Sequence, residues 1–116
     1  MALPSLQFLV VIALMDDNEA KRWKSYWENG DSDSLNGLMS AYTDMVASIA
    51  EEIIAGDSGK PPFDNLFAEG LFALKDCMLA YPKECNIPFK DYCREKIKQA
   101  MVEELEYWQA NQKPNK

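Results

Sequence analysis

Leu35, Leu38, Tyr42, Met45, Ile49 and Ile53 follow one another at steps of three and four, which draws one continuous apolar stripe along a long helix. A strand would alternate by two, and no stretch of the chain shows that pattern convincingly. A helix with one apolar side must bury it against something of similar shape. The stripe therefore points to an all-α fold in which helices cover one another.

The neighbouring segments agree. Ser32 or Ser34 opens the long helix, Gly56 closes it, and Asp44, Glu51 and Glu52 fall on its polar side. Upstream, Asp16 or Asp17 can cap a shorter helix over residues 17–29 that gathers Trp23, Tyr26 and Trp27 on one side. Asn29-Gly30-Asp31 reads as a stop followed by a new cap.

Downstream, the Gly/Ser/Pro-rich run from Gly56 to Pro62 is a short connection within one domain. Asp64 is the expected cap of a third helix. Its stripe is expected to be Phe67, Leu71, Leu74, Met78 and Tyr81, and Gly70 admits a close neighbour. Pro82 should end that helix, and Pro88 should stand just before or at the start of a fourth. There Cys93, Ile97, Ala100, Met101, Leu105 and Trp108 form the last stripe. The expectation is a single small all-α domain of about four helices over 17–110, after an apolar leader or first element at 1–16 and before a polar tail at 111–116.

A chain of 116 residues can bury a modest core without a disulfide or a metal. It has no histidine, so no Ser-His or Cys-His pair can form. The adjacent carboxylates Glu51-Glu52 and Glu103-Glu104 point in different directions on a helix. With no glycine-rich phosphate loop either, no catalytic role and no cofactor are expected. Cys77, Cys85 and Cys93 match no zinc pattern and suit a reducing, cytoplasmic compartment, with Cys77 and Cys93 as small apolar packing residues. The apolar run LQFLVVIALM is too short to span a bilayer and lacks a basic start, so no membrane role is expected.

The net charge of −7 argues against a surface that coats nucleic acid, yet it is unevenly spread. Residues 1–85 carry fourteen acids and six bases, whereas residues 86–101 carry Lys90, Arg94, Lys96 and Lys98 against Asp91 and Glu95. The fourth helix thus starts basic and ends acidic, with Glu103, Glu104 and Glu106 in its second half. The helix macrodipole favours the reverse by roughly 0.3–1 kcal/mol per well-placed charge. A negatively charged partner at the basic end would account for the order, as would chance. Phe89 and Tyr92 stand among the bases, an aromatic and cationic mixture suited to nucleic acid.

Read in order, these segments resemble the second conserved region of bacterial RNA polymerase sigma factors with the helix that precedes it. The resemblance rests on Trp23-Lys24-Ser25-Tyr26, then Gly30-Asp31, then the long helix from Leu38-Met39 through Tyr42, Met45-Val46 and Ile49-Ala50. It continues in Asn65-Leu66-Phe67-Ala68-Glu69-Gly70-Leu71-Phe72-Ala73-Leu74, in Pro88-Phe89-Lys90-Asp91-Tyr92, and in the run from Lys96 to Leu105. The flagellar and stress-type members are the more similar, because the Trp pair of housekeeping members is Glu95-Lys96 here.

The resemblance implies that Asp64, Asn65, Ala68 and Glu69 dock on the clamp coiled coil of core RNA polymerase. It also implies that Phe89 and Tyr92 capture flipped bases of the non-template strand of promoter DNA. Lys90, Arg94, Lys96 and Lys98 would hold its phosphates, and Gln99 would reach the duplex edge. Asn65 and Ala68 replace an acid and a Gln usual on the docking face. The chain stops where the family's third and fourth regions would begin, which implies either a truncated sigma factor or one half of a split one whose partner protein supplies recognition of the distal promoter element. A sigma mimic that binds polymerase or another protein without reading DNA is the alternative, and a helical domain with no nucleic-acid role is the third reading.

Overall fold

The computed structural model describes residues 15, 17–57, 59, 61–81 and 87–112. These form four helices: α1 (Asp17–Asn29), α2 (Ser32–Ala55), α3 (Phe63–Ala80) and α4 (Phe89–Gln112), with no strand among the described residues. The apolar leader, Asp16, Pro82, Cys85 and the last four residues of the tail lie outside that description.

The breaks between helices have local causes. Gly30 takes a φ of 63°, a left-handed conformation that costs glycine nothing. Asp31 then caps α2, its carboxylate accepting from the Ser34 backbone N–H at 2.8 Å. The hydrogen bonds from Ser34 hold the Asp31 carboxyl below its usual 3.8. Gly56 caps the other end of α2. Pro88 precedes α4, and its carbonyl accepts from the Tyr92 N–H at 3.0 Å. The third helix starts two residues earlier than expected: Pro62 is its cap residue, with no side-chain hydrogen bond. Asp64 therefore lies in the first turn, where a carboxylate complements the helix dipole.

The core is made by all four helices. Trp23 comes from α1; Leu38, Tyr42, Val46 and Ile49 from α2; Leu66, Leu74 and Met78 from α3; Phe89, Ile97 and Met101 from α4. Each large side chain withdrawn from water contributes about 1.5–3 kcal/mol. The buried side of α3 is Leu66, Gly70, Leu74, Cys77 and Met78, which is rotated from the expected stripe: Phe67 and Leu71 are only half-buried. Gly70 sets that rotation. A Cβ there would meet the Met101 methyl and would come within 2.7 Å of Val46 Cγ1, so α2 and α4 both close on α3 at this point. The most extensive helix contact is between α3 and α4, followed by α2 with α3 and α1 with α2.

Cys77 and Cys93 are buried free thiols, as expected of packing residues. Burial raises both, Cys93 to about 12.

Candidate functional site

The residues at the start of α4 divide by depth. Phe89 is fully buried, and its ring lies 4.9 Å from Trp23, 4.9 Å from Tyr42 and 5.2 Å from Tyr81 between centroids. The expected base contact of Phe89 would require this ring to be uncovered. Rings from three other segments enclose it, and in this conformation no base can reach it. Tyr92 is half-buried, edge-on to Tyr81 at 5.1 Å, with its hydroxyl directed at the Ala80 carbonyl at 3.5 Å. The Lys96 ammonium sits 4.8 Å from the Tyr92 ring centre, a cation–π contact worth roughly 0.5–1 kcal/mol at an exposed site.

The bases do not form one surface. Residues four apart share a helix side, so Tyr92 and Lys96 occupy one flank of α4, with Gln99 a turn further on. That flank faces α3, where the Lys96 charge is felt by the Cys77 thiol. Arg94 and Lys98 occupy the other flank, toward α2. Arg94 pairs with Glu52 at 3.4 Å, both side chains half or more exposed, so the pair contributes about 0–1 kcal/mol. Lys98 borders an open cleft of about 410 Å³ together with Glu52, Asp57, Ile53, Leu105 and Gln109. The acids of α2 and its following loop thus offset the bases of that flank. Lys90 is exposed beside the helix start.

The loop after α2 is tied to α4 at the far end of the cleft. Asp57 accepts from the Gly59 N–H at 3.0 Å and from the Gln109 amide at 2.9 Å. Across the segment between α3 and α4, the Tyr81 hydroxyl donates to the Ile87 carbonyl at 2.6 Å. The first contact fastens the end of α2 to α4, and the second joins the end of α3 to the residues before α4.

The second set of candidates lies together. Asp64, Asn65 and Ala68 are exposed and Glu69 is half-buried, all on the side of α3 turned from the core. The same side carries Phe72 and Leu79, exposed by 66% and 59%. Phe72 belongs to the motif run that begins at Asn65, but no surface role was expected of it or of Leu79. Their seven-residue separation, in phase with Ala68 and out of phase with Gly70, is the signal that marks them.

Among the described residues no group of histidine, cysteine or acidic side chains could hold a metal ion. Nor is any described helix long and apolar enough to cross a membrane. Neither models of known protein families, nor characterised proteins, nor solved structures match the chain.

Proposed function

We propose that the protein is a sigma-like transcription-initiation factor that docks on core RNA polymerase through the outer side of α3 and contacts melted promoter DNA with the Tyr92 flank of α4. The observation that carries this reading is the placement of Asp64, Asn65, Ala68 and Glu69 on one accessible side of a helix whose other side is consumed by the core. In the DNA-facing role, Tyr92, Lys96 and Gln99 act together, and Phe89 serves as the floor that fixes Tyr92. Stacking a base on an aromatic ring returns ~1–3 kcal/mol, while flipping it out costs a few. One ring cannot hold a bubble open unaided, so polymerase supplies much of the free energy.

Pull-down with core polymerase tests the docking. Asp64→Lys with Ala68→Arg should abolish capture while leaving the helical circular-dichroism signal unchanged. A folded wild-type protein that captures no polymerase refutes the proposal.

A second reading, a sigma mimic that occupies polymerase without touching DNA, is favoured by the burial of Phe89 and by the pairing of Arg94 with Glu52. Affinity for single-stranded promoter DNA in the presence of polymerase separates the two. Tyr92→Ala and Lys96→Ala weaken it under the first reading and leave it unchanged under the second. Each phosphate contact on a single strand should also contribute a salt slope of about −0.7.

A further inference from the structure

The apolar stripe of α2 is covered by α1 along its first half only. The two helices run in opposite directions: Ser25 meets Ser34 at 3.2 Å, Arg22 meets the Gly37 carbonyl at 3.2 Å, and Trp23 meets Tyr42 at 2.8 Å. Trp23 also packs on Phe89 of α4, so α1 lies over the groove between α2 and α4. The two walls of that groove run in the same direction, with Tyr42 against Phe89, Glu52 against Arg94 and Asp57 against Gln109. Past the first residue of α1 the groove continues as the cleft of about 410 Å³, whose apolar wall is Ile49, Ile53 and Leu105.

The segment that precedes α1 suits that place. Met15 is half-buried and packs on the core, so the chain enters α1 already in contact with the other helices. Residues 6–14, which lie outside the described residues, carry no charge, and only Gln7 among them is polar. Glu19 on α1 stands level with Tyr42, and Ile49 and Ile53 follow Tyr42 by about 10 and 16 Å along α2. A run of that length covers about 14 Å as helix and about 30 Å extended, so it reaches the cleft in either form. We propose that residues 6–14 of the same chain seat in the α2–α4 cleft, with their apolar side chains against Ile49, Ile53 and Leu105.

Tethering selects this occupant over others. A segment joined to α1 through Met15 and Asp16 meets the cleft at an effective concentration on the order of millimolar, which a second copy matches only in very concentrated protein. An anionic lipid surface draws on lysine or arginine beside an apolar run, whereas residues 1–15 contain neither and Asp16 and Asp17 follow at once. The Arg94–Glu52 pair spans the groove at the cleft, and because both side chains are half or more exposed it can part without leaving a buried charge. This seat goes beyond the polymerase and DNA reading and does not depend on it.

Photocross-linking of the full chain tests it. The photoreactive residue p-benzoylphenylalanine replaces Phe8 in one preparation and Ile12 in another, each checked for an unchanged thermal melt. Cross-linked peptides are mapped by mass spectrometry in an equal mixture of isotopically light and heavy protein. The links should fall on the peptides that hold Ile49, Ile53 and Leu105, and within single chains. Links confined to other faces, links between chains, or none at all overturn the proposal. Loss of the links on adding vesicles of phosphatidylglycerol and phosphatidylcholine in equal parts overturns it as well, in favour of a lipid surface.

Proteolysis reads the strength of the seat, because cleavage tracks the fraction of molecules in which the segment is released. Ile53→Asp and Leu105→Asp should each speed chymotrypsin cleavage at Phe8 about tenfold, well below the melting temperature. Ser48→Asp, exposed on the same helix as Ile53, should leave the rate unchanged. Equal rates in the wild type and both aspartate variants overturn the proposal, as does equal acceleration by Ser48→Asp. Lys98→Leu extends the apolar wall and keeps the test decisive if an aspartate variant fails to fold: cleavage should slow severalfold, and a rate at or above that of the wild type overturns the seat.

Discussion

The indole N–H of Trp23 on α1 donates to the Tyr42 hydroxyl on α2 at 2.8 Å, and that hydroxyl donates onward to the Glu19 carboxylate. One phenol therefore satisfies a buried donor and fastens the first helix to the second. Tyr42→Phe keeps the ring among Trp23 and Phe89 but leaves the indole N–H without its acceptor. An unsatisfied buried donor costs about 1–3 kcal/mol. Urea unfolding followed by tryptophan fluorescence should show a loss of that size, and a Tyr42→Phe protein as stable as wild type would refute the assignment.

Gly70→Ala should destabilise the fold although alanine is the better helix former, by up to about 1 kcal/mol. The added Cβ collides with the Met101 methyl and approaches the stiff Val46 side chain at 2.7 Å. Overpacking of this kind costs about 1–3 kcal/mol. Combining Gly70→Ala with Val46→Ala should recover part of the loss, and denaturant midpoints of the single and double variants measure this. Additive losses would mean that Val46 is not the obstruction.

Phe89→Ala should unfold or severely weaken the protein, because large-to-small changes at a fully buried aromatic cost about 3–5 kcal/mol. Tyr92→Ala, at a half-exposed position, should cost distinctly less. Thermal melts of the two variants side by side provide the check. Equal melts would place Phe89 nearer the surface than its enclosure by Trp23, Tyr42 and Tyr81 allows.

Acid should weaken the start of α2 in a way that one variant isolates. Asp31 titrates below its usual 3.8 because Ser34 donates to its charged form. A depressed native value means that the stabilisation is present above 3.8 and is lost as the pH falls through the lower native value. Asparagine caps helices without titrating, so the stability difference between wild type and Asp31→Asn should shift toward the variant as acid is added. Parallel pH profiles would exclude this linkage.

Cys77 and Cys93 should resist thiol reagents in the folded state and react fully in denaturant, since burial keeps both protonated, Cys93 up to about 12. Colorimetric titration of a Cys85→Ser protein reads these two thiols alone. Rapid labelling without denaturant would show that the α3–α4 interface opens readily.

The helices themselves were legible because their limits are local: Asp31 caps within its own turn, Gly30 accepts a left-handed φ, and Pro88 begins a helix it could not continue. The buried side of α3 was not. Phe67, Leu71, Phe72 and Leu79 distribute apolar residues around the whole helix, so spacing alone gave no unique side. The close approach of Val46 and Met101 at Gly70 chose it. Asp64, Asn65 and Ala68 are short side chains at the surface of a surface helix, and their exposure follows from the motif's position. Phe89 stands four residues before Cys93, in phase with Ile97 and Met101, so its burial followed from spacing, and the expected outward role came from the resemblance alone.

Trp23, Tyr42, Tyr81 and Phe89 come from the first helix, the second, the residue after the third and the start of the fourth. Their meeting makes the domain indivisible. A shortened protein that begins at Ser32 would retain every candidate surface residue on α3 and α4, yet it would strip one wall from around Phe89. Engineering that borrows only those two helices would inherit an exposed ring where the whole protein has a sealed joint, and clumping rather than selective capture would be its first property.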